Sequence, residues 1–198
     1  MIIIKHRVNA VSDLIATPKH LGVEIDLRSN DSELILNHDP FGDGTSFSEW
    51  LKKYDHSFLI INVKEEGLET SALDLMKEFD IKKFFFLDQS FPALYKSSKI
   101  YPQFICARVS DIESVQTALK LNIGWIWFDS LTGDWSYLDD TVELLSKKNV
   151  MKCLVSPELQ RSGSESELLA LKHLIRKSKM NFDAVCTKYP EKWELPNL

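Results

Sequence analysis

Short apolar runs alternate along the chain with longer segments in which apolar residues recur at helical spacing. Each run is rich in β-branched or aromatic residues and ends at a turn residue or a charge, which is typical of a buried strand. Eight such runs occur at fairly even intervals, over residues 2–4, 22–27, 58–63, 84–87, 104–107, 125–128, 153–155 and 184–186. The pattern therefore predicts eight short buried strands.

The segments between most of these runs are amphipathic, with apolar residues three or four positions apart, and this spacing predicts helices. The helices are expected over residues 46–54, 69–79, 111–121, 138–148 and 165–178, with a weaker one over 11–17. Ser46 and Ser110 are the expected N-terminal caps of two of them, because serine side chains accept hydrogen bonds from free amides there.

Strands that alternate with helices and are almost continuously apolar favour a parallel sheet covered by helices. Eight such units favour closure into a compact (β/α)8 TIM barrel that forms a single domain over residues 1–198. An open doubly wound sheet is the alternative, but no Gly-x-Gly-x-x-Gly loop follows the first strand. Residues 33–39 are expected to form an extra strand or hairpin over the barrel mouth, ending in His38-Asp39.

The overall composition excludes several classes of protein. The net charge is −5 at pH 7 and no basic stripe is visible, so the chain is not expected to bind nucleic acid. The three cysteines, Cys106, Cys153 and Cys186, are widely spaced and are expected to be buried thiols. No targeting or transmembrane segment is visible, so we expect a cytoplasmic protein, whose oligomeric state the sequence leaves open.

Two carboxylates within one apolar run are the first candidates for chemistry. Glu24 and Asp26 share one face of the predicted strand, because strand side chains alternate. Buried carboxylates are costly unless a cation or strong donors compensate them. A hard divalent cation such as Mg²⁺ or Ca²⁺ would do so. The alternatives are salt bridges to arginine or lysine, or an outward orientation towards solvent.

Other polar residues also lie at the ends of the predicted strands. His6 and Arg7 follow the first run, and Asn62 and Lys64 share one face of the third. The remaining candidates at strand ends are Asp88, Arg108, Asp129, Glu158 and Lys188. In a TIM barrel the carboxyl ends of the strands carry the chemistry, so this accumulation predicts an active site there.

Three motifs together resemble those of the glycerophosphodiester phosphodiesterase family, whose members are phospholipase-C-like barrels. They are His6-Arg7, the Glu24-x-Asp26 of the second run, and His38-Asp39. The segments 62–64 and 185–190 are also similar to elements of that family. The resemblance implies that Glu24 and Asp26 are metal ligands. It also implies that His6 and His38 form an acid–base pair, and that Arg7 and Lys64 contact the phosphoryl oxygens or stabilise the acidic cluster.

Further residues complete this predicted site. Asn62 and Glu158 are expected as additional metal ligands, and Arg108 and Lys188 as additional phosphate-binding residues. The expected cofactor is Mg²⁺ or Ca²⁺, with Mn²⁺ as a further candidate. Asn62 stands where the family usually has a glutamate, and an amide contributes an oxygen but no charge. Residues 8 and 9 are Val-Asn, where the family usually has a glycine directly after His-Arg.

The sequence thus predicts a metal-dependent phosphoric diester hydrolase that acts on a glycerophosphodiester-like or other small anionic phosphodiester. One alternative is a non-catalytic barrel that binds an anionic phosphate or sugar. A second is a lyase or aldolase in which Lys64 or Lys188 forms a Schiff base. That role requires a depressed lysine pKa, which the carboxylates expected beside Lys64 would oppose.

Overall fold

The structure is a computed structural model that describes residues 1–145, 148–161, 163–178 and 180–194. Over these residues the chain forms ten strands and seven α-helices. The strands are β1 (Ile2–Lys5), β2 (Gly22–Asn30), β3 (Glu33–Leu36), β4 (Thr45–Ser46), β5 (Leu59–Val63), β6 (Phe84–Leu87), β7 (Cys106–Val109), β8 (Trp125–Phe128), β9 (Met151–Val155) and β10 (Ala184–Thr187). The helices are α1 (Val11–Ala16), α2 (Phe47–Leu51), α3 (Glu69–Glu78), α4 (Phe91–Ile100), α5 (Val115–Lys120), α6 (Tyr137–Leu145) and α7 (Glu165–Lys177).

Eight of the strands are parallel and lie in the order β7-β8-β9-β10-β1-β2-β5-β6. The two end strands of this curled sheet meet at a single isolated parallel bridge between Phe86 and Ile105. The predicted α/β class is therefore confirmed as a barrel-like sheet. A fully closed (β/α)8 barrel is not confirmed, because in the described residues β6 and β7 share this one bridge in place of a ladder. We call this contact the β6–β7 seam.

A small antiparallel addition extends β2 beyond the barrel. Strand β3 pairs with β2 from Leu27 opposite Leu36, and β4 pairs in turn with β3. The extra strand expected over residues 33–39 is thus confirmed for its first four residues. The remaining three form a loop beside the middle of β2, where Asn37 donates its backbone amide to the Asp26 carbonyl at 3.0 Å.

The alternation of side chains along the strands produces two separate apolar layers. One face of β2, with Val23, Ile25 and Leu27, belongs to the large outer core against the helices. The opposite faces of the strands form a smaller inner core: Ile4, Phe58, Ile60, Phe85, Leu87, Cys106, Trp125, Trp127, Cys153, Val155, Ala184 and Cys186. The three cysteines are free and buried, as expected. The inner core fills the barrel below the carboxyl ends of the strands.

The ends of some helices differ from the predicted ends. Helix α5 begins at Val115 and not at residue 111, because Ser114 caps it by accepting the amide of Gln116. Ser110, the expected cap, instead accepts the amides of Ile112 and Glu113 in a turn. Of the helix predicted over 138–148, residues 146 and 147 lie outside the described residues.

Helix α4 has no counterpart among the predicted helices. Its residues Phe91, Tyr95 and Ile100 are exposed, so its apolar positions do not mark one buried face. In the ranges given above, no helix combines the length and the apolarity needed to cross a bilayer.

Candidate active site

A pair of buried carboxylates lies in the part of β2 that pairs with β5, close to the point where this parallel pairing ends. Glu24 and Asp26 occupy the inner face of the strand and are each 1% exposed. Asn62 of β5 is the register partner of Asp26, and its side chain is also buried. The strand period of two therefore places the three polar side chains side by side, directly above the inner core.

The loop that follows β1 holds this pair from one side. The backbone amide of Arg7 donates to Glu24 Oε2 at 2.7 Å. Asn9 makes two hydrogen bonds to Asp26, with Nδ2 donating to Oδ2 at 2.9 Å and Oδ1 accepting the Asp26 amide at 2.8 Å. Arg7 adopts a φ of 55°, a left-handed conformation that is strained for a residue with a side chain. This turn directs the Arg7 amide at Glu24.

Two cationic side chains flank Asp26. Lys64 Nζ lies 3.2 Å from Oδ1, and Arg7 Nε lies 3.4 Å from Oδ2. The Arg7 side chain is 45% exposed, so part of its guanidinium faces solvent above the carboxylates. A cationic side chain with free N–H donors at the mouth of a barrel is suited to contact a phosphate.

Three oxygens at this point lack hydrogen bonds among the described residues. They are Glu24 Oε1, Asp26 Oδ1 and Asn62 Oδ1, all buried. Unsatisfied buried oxygens are costly, and carboxylate and amide oxygens are the donors that Mg²⁺ and Ca²⁺ prefer. The donor set thus fits a hard divalent cation. It holds only two carboxylates, however, and no group of three or more His, Cys, Asp or Glu side chains suited to a metal occurs in the described part of the chain.

Burial shifts two pKa values at the site in opposite directions. It raises the pKa of Glu24 to about 7, with repulsion from Asp26 acting in the same sense. It lowers the pKa of His6 to about 4, with the positive charge of Arg7 adding to the effect. His6 Nε2 lies 3.7 Å from Glu24 Oε2. At neutral pH the His6 ring is therefore uncharged and has one ring nitrogen without a proton.

His38 lies in the loop after β3. Its ring is half-exposed, and Nδ1 is 2.9 Å from the Asp39 carboxylate. Its carbonyl accepts two hydrogen bonds from the Arg28 guanidinium, which fixes the loop against β2. In the described residues, the His38 ring bonds to Asp39 and not to Glu24 or Asp26. Asn37, the preceding residue, donates its amide to the Asp26 carbonyl, so the loop that carries the half-exposed His38 ring lies next to Asp26.

Lys188 follows β10 on the inner face. Its Nζ donates to the Glu158 carbonyl at 2.9 Å, and its positive charge contributes to the lowered pKa of His6. The charge of Lys188 is therefore felt at His6. Its predicted role as a phosphate-binding residue stays a prediction.

Glu158 and Arg108 are placed differently from what the sequence suggested. Both oxygens of the Glu158 carboxylate are engaged, Oε1 by Thr187 at 2.5 Å and Oε2 by Ser156 at 2.5 Å. Glu158 therefore offers no free oxygen to the expected metal site, because it is used to anchor the end of β10.

Arg108 on β7 pairs with Asp129 at 2.6 Å, with Glu113 at 3.4 Å and with Asp88. Its guanidinium lies beside a cavity of about 270 Å³ between β6 and β7. Because three carboxylates take up its donors, Arg108 is not brought to the Glu24–Asp26 pair. The sequence placed Arg108 at the correct rim but could not show how many carboxylates surround it.

Asn9 is the site residue that the sequence analysis missed. A signal was present, because residues 8 and 9 depart from the family pattern directly after His-Arg. Nothing in the sequence alone showed that the Asn9 side chain reaches Asp26, which is 17 positions away.

Comparison with known proteins shows which solved structures share this fold. No family sequence model matches the chain, and no curated protein matches it in sequence. A glycerophosphodiester phosphodiesterase from Thermotoga maritima superposes with a TM-score of 0.65 at 16% identity, over 98% of this chain and 96% of that chain. An enzyme of the same name from Agrobacterium tumefaciens gives 0.64 at 15% identity, over 96% and 98% of the two chains.

The chain has the glycerophosphodiester phosphodiesterase fold. A glycerophosphoryl diester phosphodiesterase from Parabacteroides distasonis supports this with a TM-score of 0.66 at 15% identity, over 96% of this chain and 83% of that chain. The resemblance drawn from the motifs is thereby confirmed for the fold. Residues 1–39, which carry the three motifs of the glycerophosphodiester phosphodiesterase pattern, form the carboxylate pair and the loops around it.

Proposed function

We propose that this protein is a divergent glycerophosphodiester phosphodiesterase-like enzyme that cleaves a small anionic phosphodiester with the help of a divalent cation. The observation that carries the proposal is the cluster of three buried oxygens, Glu24 Oε1, Asp26 Oδ1 and Asn62 Oδ1, that have no hydrogen bond in the described part of the chain. Asp26 Oδ1 has Lys64 Nζ as its ion-pair partner at 3.2 Å. The three oxygens lie beside two cationic side chains, Arg7 and Lys64, at the carboxyl rim of a barrel-like sheet. This rim is where such folds carry their chemistry.

A divalent cation held by Glu24, Asp26 and Asn62 would supply a Lewis acid that withdraws charge from a phosphoryl oxygen. Mg²⁺ or Ca²⁺ suits these oxygen donors, with Mn²⁺ as a further candidate. Because Asn62 contributes no charge, and Lys64 already neutralises part of Asp26, we expect the cation to bind more weakly than at a site with three carboxylates.

The chain's own cations bind the diester. Arg7 donates its exposed N–H groups to a non-bridging phosphoryl oxygen, and Lys64 and Lys188 contribute positive charge from the neighbouring strands. These groups are most effective against the charge that accumulates in the transition state, because their positions are already fixed. Asp26 holds two of them in place, as its contacts with Arg7 and Lys64 indicate.

The two histidines transfer the protons. His6 is neutral at pH 7, because burial lowers its pKa, and it accepts the proton of the attacking hydroxyl. His38 presents its Nε2 to the leaving oxygen, since Asp39 holds Nδ1. The attacking group is water or a neighbouring hydroxyl of the substrate, and the product differs accordingly.

The proposal is tested with an activated phosphodiester in the presence and absence of a chelator. We expect the chelator to abolish turnover, and His6→Ala to lower kcat about 10²–10⁴-fold, the usual contribution of a general acid or base. The matched control is His173→Ala, which removes an exposed histidine on α7. Equal turnover in His6→Ala and the parent protein would refute the role of His6.

A barrel that binds an anion without turnover is the second candidate function. The amide at position 62 favours it, since a weaker cation site would serve binding better than catalysis. Binding of a diester that survives prolonged incubation with cation would support this candidate. The Schiff-base alternative is disfavoured, because Lys64 Nζ is already engaged in an ion pair with the buried Asp26 carboxylate at 3.2 Å.

A further inference from the structure

The loop of residues 6–9 forms a hydrogen bond to one oxygen of each of the two carboxylates. It binds Oε2 of Glu24 through the Arg7 amide and Oδ2 of Asp26 through the Asn9 side chain. The other oxygen of each carboxylate remains without a hydrogen bond in the described part of the chain. One oxygen of each acid is thus held by the loop. Of the other two, Asp26 Oδ1 faces the ammonium group of Lys64 at 3.2 Å, and a bound cation would share that oxygen with Lys64.

Asn9 makes the more specific of these contacts. Its amide spans Asp26, donating to the side chain at 2.9 Å and accepting from the backbone at 2.8 Å. Two hydrogen bonds to one residue restrict both the backbone position and the side-chain rotation of Asp26. Fixing the rotation determines the direction in which Oδ1 points.

The loop is itself anchored to the core. Val8 is fully buried, and its amide donates to the Glu24 carbonyl at 2.7 Å. The Val8 carbonyl accepts the indole N–H of Trp50, which is also fully buried, at 3.0 Å. Asn9 is therefore attached to a rigid support and is not a freely moving surface residue.

We infer that Asn9 is a positioning residue that orients Asp26 and thereby determines both the strength and the selectivity of divalent cation binding. This inference rests on the proposed function, because it assumes that the free oxygens receive a cation. Residues that hydrogen-bond a metal ligand typically change metal affinity about 10–100-fold when they are removed. Mg²⁺ requires near-ideal octahedral geometry, whereas Ca²⁺ tolerates flexible ligands. Loosening Asp26 should therefore weaken Mg²⁺ binding more than Ca²⁺ binding.

The test is calorimetric titration of the full chain with Mg²⁺ and with Ca²⁺, in the absence of substrate. For Asn9→Ala we expect the Kd for Mg²⁺ to rise about 10–100-fold, and the Kd for Ca²⁺ to rise less. Asn181→Ala is the matched control, since it removes an exposed amide preceding β10 at the opposite end of the barrel. Asn9→Ser, whose hydroxyl is too short to span Asp26, gives the same change if Asn9→Ala does not fold.

The possible results separate the two proposals. Cation binding by the parent protein with an unchanged Kd in both Asn9 variants overturns the positioning role alone. An equal loss for Mg²⁺ and Ca²⁺ also overturns it, because a general structural role would produce that result. If the parent protein binds no divalent cation, the metal-dependent function fails and the role of Asn9 fails with it.

Discussion

Glu24 and His6 are both shifted towards their uncharged forms, and burial is the main cause for each. A rim that excludes water penalises every charge placed in it, whatever its sign. Without a bound cation, the site therefore relieves part of its electrostatic cost by protonating Glu24 and leaving His6 neutral.

The raised pKa of Glu24 makes the stability of the cation-free protein depend on pH. The folded form holds a proton up to about pH 7, whereas the unfolded chain releases it near 4.5. The stability contributed by this proton is present below pH 4.5 and is lost as the pH rises towards 7. We expect Tm to fall over that window in chelator, and Glu24→Gln to remove this part of the decline.

Saturating Ca²⁺ is the control for this measurement, because a bound cation stabilises the ionised carboxylate. It should raise Tm most at the upper end of the pH range. A Tm difference between Glu24→Gln and the parent protein that stays constant from pH 4.5 to 7 would contradict the assignment.

Lys64 and Asp26 form a largely buried ion pair at the rim. Lys64→Gln leaves the buried carboxylate without this partner, so we expect the cation-free protein to lose about 1–3 kcal/mol of unfolding free energy, the usual cost of an unsatisfied buried group. Urea denaturation measures this loss. Lys82→Gln breaks an exposed pair with Asp80 and should cost less than about 1 kcal/mol. An equal loss of unfolding free energy in the two variants would contradict the prediction that the buried pair stabilises the protein more than the exposed pair.

At the scale of elements, the loop of residues 6–9 depends on α2 for its position. Trp50→Phe keeps an aromatic ring in the core but removes the N–H group that donates to the Val8 carbonyl. The buried carbonyl is left unpaired, so we expect a loss of about 1–3 kcal/mol, measured by urea denaturation. Trp135→Phe, on a half-buried indole after β8, is the control. Equal effects of the two changes would show that the hydrogen bond does not matter.

The sequence predicted the strands better than the helices, for a physical reason. Strands such as β5 and β8 are buried on both faces and therefore appear as unbroken apolar runs. Helix α4 exposes Phe91 and Tyr95, so its pattern lacks the polar face by which a helix is recognised. The start of α5 depends on which of two serines caps it, and both have the appropriate side chain.

Within the site as well, the sequence predicted the features of the strands but not the contacts made by the loops. Alternation along β2 was enough to predict that Glu24 and Asp26 share a face. The contact of Asn9 with Asp26, and the three carboxylates around Arg108, join residues that are far apart in sequence. Such contacts depend on how loops bend over the rim, which the periodicity of the chain does not encode.

At the scale of the whole molecule, the number of paired residues differs between neighbouring strands of the barrel-like sheet. Strands β2 and β5 pair over five residues, whereas the β6–β7 seam has one bridge. We expect backbone amides at the seam to exchange with deuterium faster than those of the β2–β5 ladder, since fewer hydrogen bonds must open. Hydrogen exchange with mass spectrometry measures this difference. Equal protection of the two regions would show that the seam is as well closed as the rest.

The apolar residues that fill the barrel below the rim have a kinetic consequence. They close the lower end of the cylinder, so a ligand can reach Glu24 and Asp26 only from above, and whatever is released must depart the same way. Under the proposed reaction, a phosphomonoester product then occupies the space that the next substrate molecule needs. Inhibition by product would accordingly raise the apparent KM and leave kcat unchanged.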